Sequence, residues 1–269
     1  MIEKSPLAEF AGQVAVVTGG GSGIGRAIAM RYAAGGGTVV VIGRRQEPLE
    51  ESARMIESLG VTAGVASCDV RDADALTAAI DGVVAEHGRI DAMVNNAAGN
   101  FVSPAENLSP GGWRAVVDIV LNGTFYGTRA AGRHMLEAGQ GAILNVIASY
   151  AWHGHPGTVH SAAAKGGVLA MTRTLAAEWG GRGVRVNCVS PGPTETEGAG
   201  AALWPTEADR ARVLGSVPAG RFTTPEEVAE SASFLLDSKR AGYINGDVLS
   251  VDGGQWLGKA IYSDSSARS

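Results

Sequence analysis

Short runs of apolar, mostly β-branched residues recur along the chain and alternate with longer stretches of helical period. Such runs are typical of buried strands, and their alternation with helices is typical of stacked βαβ units. Because the early runs are continuously apolar, they predict a parallel sheet covered by helices on both faces. Seven strands are predicted, at Val14–Thr18, Thr38–Ile42, Thr62–Cys68, Ile90–Asn95, Ala142–Ala148, Val184–Val189 and Val248–Val251.

The stretches between these runs predict the helices of a doubly wound α/β fold. The clearest start is Pro225, because proline suits a first helical turn and the two glutamates that follow it favour the positive end of the helix. Residues 191–224 combine glycines and prolines with weak periodicity, which predicts a substrate loop or lid. Helices are predicted at Gly25–Ala34, Pro48–Leu59, Ala73–His87, Gly112–Ala138, Thr158–Gly180 and Pro225–Leu236.

The composition is typical of a globular chain without nucleic-acid or membrane partners. Of 269 residues, 45% are hydrophobic and 18% are charged, and the net charge of −5 provides no basic surface for either partner. No apolar run approaches the roughly 18 residues needed to cross a bilayer, so we expect a cytoplasmic protein. The two cysteines, Cys68 and Cys188, are too few for a disulfide framework or a four-thiolate zinc site.

A glycine-rich segment, Thr18-Gly-Gly-Gly-Ser-Gly-Ile-Gly25, follows the first predicted strand and opens the first helix. Glycines allow a tight turn and a close approach of the backbone, and a helix N-terminus offers unpaired N–H groups to phosphates. This context indicates a dinucleotide site in a Rossmann-like fold. The phosphate-loop pattern that ends in Gly-Lys is absent, which argues against ATP or GTP. We expect cofactor contacts from Gly19, Ser22, Gly23, Ile24 and Gly25.

The end of the second predicted strand indicates which dinucleotide is bound. An NAD site has an acidic residue there for the ribose 2′-hydroxyl, whereas this chain has Gly43, Arg44 and Arg45. Arginine can clamp a 2′-phosphate through charge-assisted hydrogen bonds, so NADP(H) is favoured over a merely solvated strand end. Asp69, after the third strand, is a candidate acceptor for the adenine amino group, although a bare aspartate is often a turn former.

Four features together resemble the short-chain dehydrogenase/reductase superfamily: the glycine pattern at 18–25, Asn95-Asn-Ala-Ala-Gly99, Lys165 on a predicted helix and Pro191-Gly-Pro193. The resemblance covers nearly the whole chain. It implies one domain over residues 1–269, with the dinucleotide-binding half mainly at 1–100 and the substrate loop at 191–224. It also implies a homotetramer. Further cofactor contacts are expected from Val70, Asn96, Ala97, Ala98, Lys165, Pro191, Gly192 and Thr194.

The chain departs from the common pattern of that superfamily at the catalytic tyrosine. The pattern has a tyrosine four residues before the lysine, where this chain has Ser161, and a serine near position 148, where it has Ala148. A tyrosine lies earlier, at Tyr150, and the asparagine motif continues into Asn100 and Phe101. These features are similar to the 2,4-dienoyl-CoA reductases, in which the acting tyrosine takes the earlier position.

The resemblance implies NADPH-dependent reduction of a 2,4-dienoyl-CoA to a 3-enoyl-CoA in unsaturated fatty acid oxidation. Hydride addition to the distal carbon of the diene builds negative charge at the thioester oxygen, and Tyr150 and Asn100 are the expected donors to that oxygen. Lys165 is expected to hold the nicotinamide ribose and to stabilise the charge. Two alternatives stay open: a carbonyl or 3-ketoacyl reductase that uses Tyr150 as its acid, and a non-catalytic NADP(H)-binding sensor or scaffold.

Asn122 and Ser161 complete the expected catalytic set. Asn122 lies within an apolar helix and binds either backbone or a relay water at a kink, or else satisfies a local carbonyl. Ser161 hydrogen-bonds Lys165 or cofactor, or is a small packing residue. Phe101 and Ser109 are expected to contact substrate together with Tyr150.

Three histidines, His153, His155 and His160, lie close in sequence to Tyr150. Two of them at i, i+2 on a Gly/Pro loop lack the helical geometry of a zinc site and have no adjacent carboxylate, so no metal is expected. We expect the three to line the acyl-CoA entrance. The tryptophans that can pack at the same entrance are Trp152, Trp204 and Trp256.

Overall fold

The computed structural model describes residues 8–196, 203–204 and 206–257. Among them, seven parallel strands form one sheet in the order β3-β2-β1-β4-β5-β6-β7, which confirms the predicted sheet. The register pairs Val16 of β1 with Val40 of β2 on one side and with Met93 of β4 on the other. The strands are β1 (Val14–Thr18), β2 (Thr38–Gly43), β3 (Ala63–Ser67), β4 (Ala92–Asn95), β5 (Gly141–Val146), β6 (Val184–Pro191) and β7 (Val248–Val251).

The helices follow the predicted positions, but the one-turn helices Tyr150–His153 and Ser238–Ala241 were not predicted, and two larger differences occur. The predicted helix at 112–138 is divided by a π-helical turn, Asp118–Asn122, and the predicted lid contains a helix that begins where Thr206 Oγ1 accepts from the Asp209 N–H. The α-helices are α1 (Gly23–Ala34), α2 (Gln46–Glu57), α3 (Ala73–His87), α4 (Pro110–Val117), α5 (Gly123–Ala138), α6 (Tyr150–His153), α7 (Val159–Trp179), α8 (Glu207–Leu214), α9 (Pro225–Leu236) and α10 (Ser238–Ala241).

Hydrophobic clusters cover both faces of the sheet, which explains the continuously apolar strands. Every residue of β1 is buried. Ala15 and Val17 pack into one cluster with α1 and α9, whereas Val14 and Val16 pack into the other with α3 and α5. Since successive strand residues point to opposite faces, a strand covered on both sides has no polar face.

The strand order reverses between β1 and β4, and side chains at their carboxyl ends hold the two strands together. Thr18 Oγ1 donates to the Val94 carbonyl at 3.3 Å and accepts from the backbone N–H groups of Asn96 and Ala97 at 3.1 and 3.2 Å. In open α/β sheets, ligands bind in the crevice outside such a reversal. The fold therefore locates the site at this edge.

A buried chain of polar side chains links the middle of the sheet to two helices. Asn95 Nδ2 donates to Thr128 Oγ1 of α5 and to Asn145 Oδ1 of β5, both at 2.9 Å. Asn145 Nδ2 in turn donates to Thr172 Oγ1 of α7 at 2.8 Å. Because all four side chains are buried, removal of one member leaves its neighbours unpaired in a site without water.

We expect Asn145→Ala to lower the free energy of unfolding by about 2–4 kcal/mol, since it removes two buried hydrogen bonds and leaves their partners unsatisfied. Urea unfolding monitored by circular dichroism measures this loss. Thr174→Ala is the matched control, because Thr174 bonds the Ala170 carbonyl on the exposed side of the same helix α7. Equal losses for the two variants would contradict the role of the buried chain.

Candidate active site

The loop between β1 and α1 has the backbone conformation of a cradle for a phosphate-bearing ligand. Gly19 and Gly23 have φ angles of 65° and 52°, which a residue with a Cβ rarely adopts. A Cβ atom on Gly19 would lie 2.8 Å from Asn96 Nδ2, and one on Gly25 would overlap the Gly19 carbonyl. Ser22 precedes α1 without capping it through its side chain, so the first N–H groups of the helix are left for a ligand.

Two side chains from neighbouring elements hold this loop in place. Asn96, at the end of β4, donates through Nδ2 to the carbonyls of Thr18 and Gly19 at 3.1 and 3.3 Å. Arg26 of α1 donates to the Gly21 carbonyl at 2.6 Å and to Ser52 Oγ of α2 at 2.9 Å. The Asn96 side chain, which was predicted as a cofactor contact, therefore binds the glycine loop. This role of Arg26 was not predicted, because the only indication of it in the sequence is the position of Arg26 directly after the glycine pattern.

A cleft of about 670 Å³ runs along the carboxyl edge of the sheet from this loop. Its walls include the ends of β1, β2, β3 and β4. Gly25, which is buried below the loop, does not line it. The residues of the sequence-predicted cofactor site that do are Gly19, Ser22, Gly23, Ile24, Arg44, Arg45, Asp69, Val70, Asn96, Ala97 and Ala98.

The charged residues of the cleft differ in what they already bind. Arg44 and Arg45 are exposed, and neither guanidinium forms an ion pair with a described residue. Asp69 instead binds Arg71, with Oδ2 2.6 Å from Nη2, and this arginine holds the pKa of the carboxyl below its usual value. Of these three predicted cofactor-binding residues, Arg44 and Arg45 therefore have side-chain charges that are available to bind an anion, whereas the Asp69 carboxylate is already paired.

Cofactor contacts are also predicted at Pro191, Gly192 and Thr194, at and after the end of β6. None of the three lines the cleft, whose wall at this point is formed by Glu195 and Thr196. A Cβ on Gly192 would lie 2.7 Å from the Asp252 Cα after β7, so this glycine serves close packing. Thr194 is buried and donates to the Gly192 carbonyl.

Tyr150, Ser161 and Asn100 come together from three different elements. Tyr150 opens the one-turn helix α6 rather than lying in a loop, and its Oη is 3.1 Å from Ser161 Oγ on α7. Burial raises the pKa of Tyr150, while hydrogen bonds from Ser161 and Asn100 lower it in part. Asn100 Oδ1 accepts from the Phe101 N–H at 2.9 Å, which leaves Nδ2 as the donor toward the phenol.

Lys165 lies one helical turn after Ser161 and is buried. Its Nζ donates to the Val146 carbonyl at the end of β5. Burial of the ammonium lowers its pKa from 10.5 to about 8, so the side chain is charged at neutral pH and close to titration. A cation buried at this cost, one helical turn from the serine that meets Tyr150, is typical of a functional site.

Two further predicted site residues have hydrogen-bond partners within their own helical segments. Asn122 donates to Asp118 Oδ1 at 2.9 Å within the π-helical turn, a partner that was not predicted. Val120 of that turn belongs to the same buried hydrophobic cluster as Ala164 of α7. Ser109 is exposed and caps α4, with its Oγ accepting from the Gly112 N–H at 3.0 Å.

The remaining predicted substrate residues are aromatic side chains that pack on other rings and histidines that follow Tyr150 in the chain. Phe101 is partly exposed and lies edge-on to the His160 ring, with 4.5 Å between the ring centroids. His153 and His155 are exposed on the turn after Tyr150. Trp152 packs edge-on against Trp256, and Trp204 packs on Phe222.

The residues that the structure describes offer neither a metal-binding cluster nor a membrane-spanning helix. They contain no group of three or more histidine, cysteine, aspartate or glutamate side chains that can hold a metal ion. In the same residues, no helix combines the length and the apolar character needed to cross a membrane. Cys68 and Cys188 are both buried free thiols, as expected.

Comparison with known sequences identifies close relatives. Residues 19–255 match the family described as Enoyl-(Acyl carrier protein) reductase. The chain is 50% identical to a probable 2,4-dienoyl-CoA reductase of Bacillus subtilis, whose name specifies a (2E)-enoyl-CoA product, over 90% of this chain and 96% of the relative. It is 44% identical to the D-threitol dehydrogenase of Mycolicibacterium smegmatis, over 90% of this chain and 92% of that protein.

Comparison with solved structures also identifies chains of similar sequence and fold. A short chain dehydrogenase from Bacillus anthracis is 45% identical, with a TM-score of 0.84, over 95% of this chain and 99% of that one. A structure from Beutenbergia cavernae, described as an NAD(P)-dependent gluconate 5-dehydrogenase with bound NADP, is 38% identical, with a TM-score of 0.88, over 93% and 99% of the two chains.

The low pKa of Lys165 predicts a pH-dependent difference in stability. A lysine whose pKa is 10.5 when unfolded and about 8 when folded destabilises the fold below pH 8, and this penalty is relieved as the pH rises through both values. We expect the stability of Lys165→Met relative to the unmodified protein to fall by about 3 kcal/mol between pH 7 and pH 11. Urea unfolding across this range measures it.

The exposed Lys239 provides the control, since Lys239→Met should follow the unmodified protein at every pH. A Lys165→Met difference that is constant with pH would contradict the buried, charge-penalised lysine.

Proposed function

The chain belongs to the short-chain dehydrogenase/reductase family, and from this we propose that it is an NADPH-dependent reductase of 2,4-dienoyl-CoA thioesters. The observation that carries the proposal is the 3.1 Å contact between Tyr150 Oη and Ser161 Oγ. The phenol reaches the helical position where the common family pattern has its own tyrosine, and it does so from another element. Asn100 joins it there as a second donor.

The residues of the cleft fit a dinucleotide phosphate. The cradle at Gly19 and Gly25 has no room for a Cβ, and the N-terminus of α1 is open to an anion. Arg44 and Arg45 stand at the end of β2 with no ion pair among the described residues, where a 2′-phosphate is distinguished from a 2′-hydroxyl. When bound, NADPH supplies the hydride that adds to the distal carbon of the diene.

Tyr150 and Asn100 are proposed to hold the thioester oxygen as it becomes negative. The raised pKa of Tyr150 keeps its hydroxyl protonated at neutral pH, so that it donates. Asn100 donates through Nδ2, because its oxygen is already bound to the Phe101 N–H. Two donors held in a largely buried site need no reorganisation when charge develops, which is the main source of stabilisation in such reactions.

Lys165 is proposed to support this charge and to orient the ribose of the cofactor. Its Nζ uses one hydrogen to bind the Val146 carbonyl, which fixes its direction and leaves two for ligands. With a pKa of about 8 it remains a cation at pH 7, and a buried cation stabilises a neighbouring oxyanion more strongly than one in water. Ser161 is proposed to orient the phenol.

The position of protonation decides which enoyl product forms. A proton from the Tyr150 side, next to the thioester oxygen, reaches the α carbon and leaves the double bond at C3. A (2E)-enoyl product, as in the name of the Bacillus subtilis relative, requires the proton at the γ carbon. We propose the 3-enoyl product because the donors described above converge on the carbonyl end. Proton NMR of the product, made in D₂O, identifies the carbon that receives deuterium.

A second candidate function is the oxidation or reduction of an alcohol–carbonyl pair, which the similarity to a D-threitol dehydrogenase supports. The same Tyr150 would then exchange a proton with the alcohol oxygen. Following NADPH absorbance with a 2,4-dienoyl-CoA, a 3-ketoacyl-CoA and, in the oxidative direction, D-threitol separates the two enzymes. Cofactor binding without turnover of any of them would instead support a sensor or scaffold.

Tyr150→Phe removes one donor to the thioester oxygen, so we expect kcat to fall about 100-fold or more with little change in NADPH affinity. The rate is measured with a dienoyl-CoA and the affinity by NADPH fluorescence. Tyr243→Phe, at a fully exposed tyrosine, is the control and should leave both values unchanged. An unaltered kcat in Tyr150→Phe would remove this residue from the mechanism.

Arg44→Ala is expected to weaken NADPH binding about tenfold or more while changing NADH binding less than about twofold, because only NADPH carries the 2′-phosphate. Calorimetric titration of each nucleotide measures the effect. Arg54→Ala on α2 controls for the loss of an exposed positive charge nearby. Equal losses for both nucleotides would refute the role of Arg44 in cofactor choice.

A further inference from the structure

His160 is a fully buried imidazole, and neither ring nitrogen has a partner at direct hydrogen-bond distance among the described residues, although the Thr158 backbone lies close enough to act on the ring as a weaker hydrogen-bond partner. Buried polar atoms are almost always paired in folded proteins, so such an exception needs an explanation. Burial lowers the pKa of His160, an effect that the nearby Thr158 backbone only partly offsets, and the ring is therefore neutral at pH 7. A neutral imidazole offers one donor and one acceptor.

The position of His160 relates this unpaired ring to the proposed reaction. It directly precedes Ser161 on α7, and successive helical residues are rotated by about 100° with a rise of roughly 1.5 Å. Ser161 meets Tyr150, whereas the His160 ring meets the ring of Phe101, the residue after Asn100. The imidazole therefore projects from the adjacent side of α7, next to the proposed position of the thioester oxygen and beside the loop that carries Asn100 and Phe101.

Two buried tryptophan nitrogens also lack a hydrogen-bond partner among the described residues, Trp152 Nε1 and Trp204 Nε1. Trp152 lies two residues after Tyr150, so a second donor near the proposed site in the sequence has no partner in the described part of the chain. A ligand that carries hydrogen-bonding groups outside its reacting carbonyl would provide the missing partners.

We propose that His160 recognises a secondary amide in the thiol arm of the substrate, the amide nearest the thioester sulfur, as in a pantetheine thioester. This inference rests on the proposed function and extends it to a specificity-determining residue. An amide has one N–H and one C=O, which matches the donor and acceptor of the neutral ring. The thioester oxygen does not match, because it only accepts and is proposed to bind Tyr150 and Asn100.

The test compares three thioesters of the same 2,4-dienoyl acid, with coenzyme A, N-acetylcysteamine and ethanethiol as the thiol. The first two carry the amide nearest the sulfur and the third carries none. In His160→Phe, which keeps a ring against Phe101, we expect kcat/KM to fall about tenfold or more for the first two thioesters and less than about threefold for the ethyl thioester. The affinity for NADPH should stay within about twofold of its original value.

A thermal-unfolding measurement separates recognition from a structural role. Since His160→Phe replaces two unpaired buried nitrogens by carbon, we expect its Tm to equal or exceed that of the unmodified protein. Tyr243→Phe, at a fully exposed tyrosine outside the proposed site, is the control and should change neither the Tm nor the three kcat/KM values.

Three results would overturn the inference alone: no loss with any thioester, an equal loss with all three, or a loss accompanied by a lower Tm. In the second case the histidine acts at the reacting carbonyl, and in the third it supports the fold. If the unmodified protein oxidises NADPH with none of the thioesters, the proposed function fails and the inference fails with it.

Discussion

The hydrogen bonds between the ends of β1 and β4 are the contacts on which the rest of the site depends. Thr18 Oγ1 bridges the two strands, and the Asn96 amide holds the glycine loop by two of its carbonyls. Because the strand order reverses between β1 and β4, the glycine loop after β1 and the 96–100 segment after β4 leave the sheet in different directions from adjacent strand ends. The first borders the cleft at Gly19, and the second ends at Asn100. The two halves of the proposed reaction are therefore positioned by one junction.

The sheet and its connections could be predicted because each strand carries its signal in its own residues. β1, whose five residues are all buried, has the same bounds in the prediction and in the structure. The π-helical turn at 118–122 could not be predicted, since its residues have ordinary helical periodicity and the turn arises from packing. Helix α8 was not predicted, because none of its residues is buried and its sequence therefore lacks the apolar periodicity that indicates a helix.

The candidate site was predictable where a residue type has one chemical use and less so where position decides. Lys165 was predicted because it fits the pattern of the family, and its side chain is buried with Nζ bound to the Val146 carbonyl. Ser109 shows the limit: a hydroxyl near the site by sequence caps a helix instead. Glu195 and Thr196 were passed over because a Pro-Gly turn does not reveal which of its following residues turns toward the cleft.

The two halves of the site differ in how far the chain satisfies its own polar groups. On the cofactor side, Asn96, Arg26 and Asp69 all have partners within the protein. Among the described residues, seven buried side-chain nitrogen or oxygen atoms lack a partner, and five of them belong to Trp152, His160, Ser190 and Trp204. Since a buried unpaired group weakens the fold, its persistence is easiest to understand where a ligand completes it. The cofactor half is thus preorganised by its own hydrogen bonds, whereas the proposed polar ligand would supply partners that Trp152 and His160 lack among the described residues, so that affinity for it would be gained at the expense of the stability of the free protein.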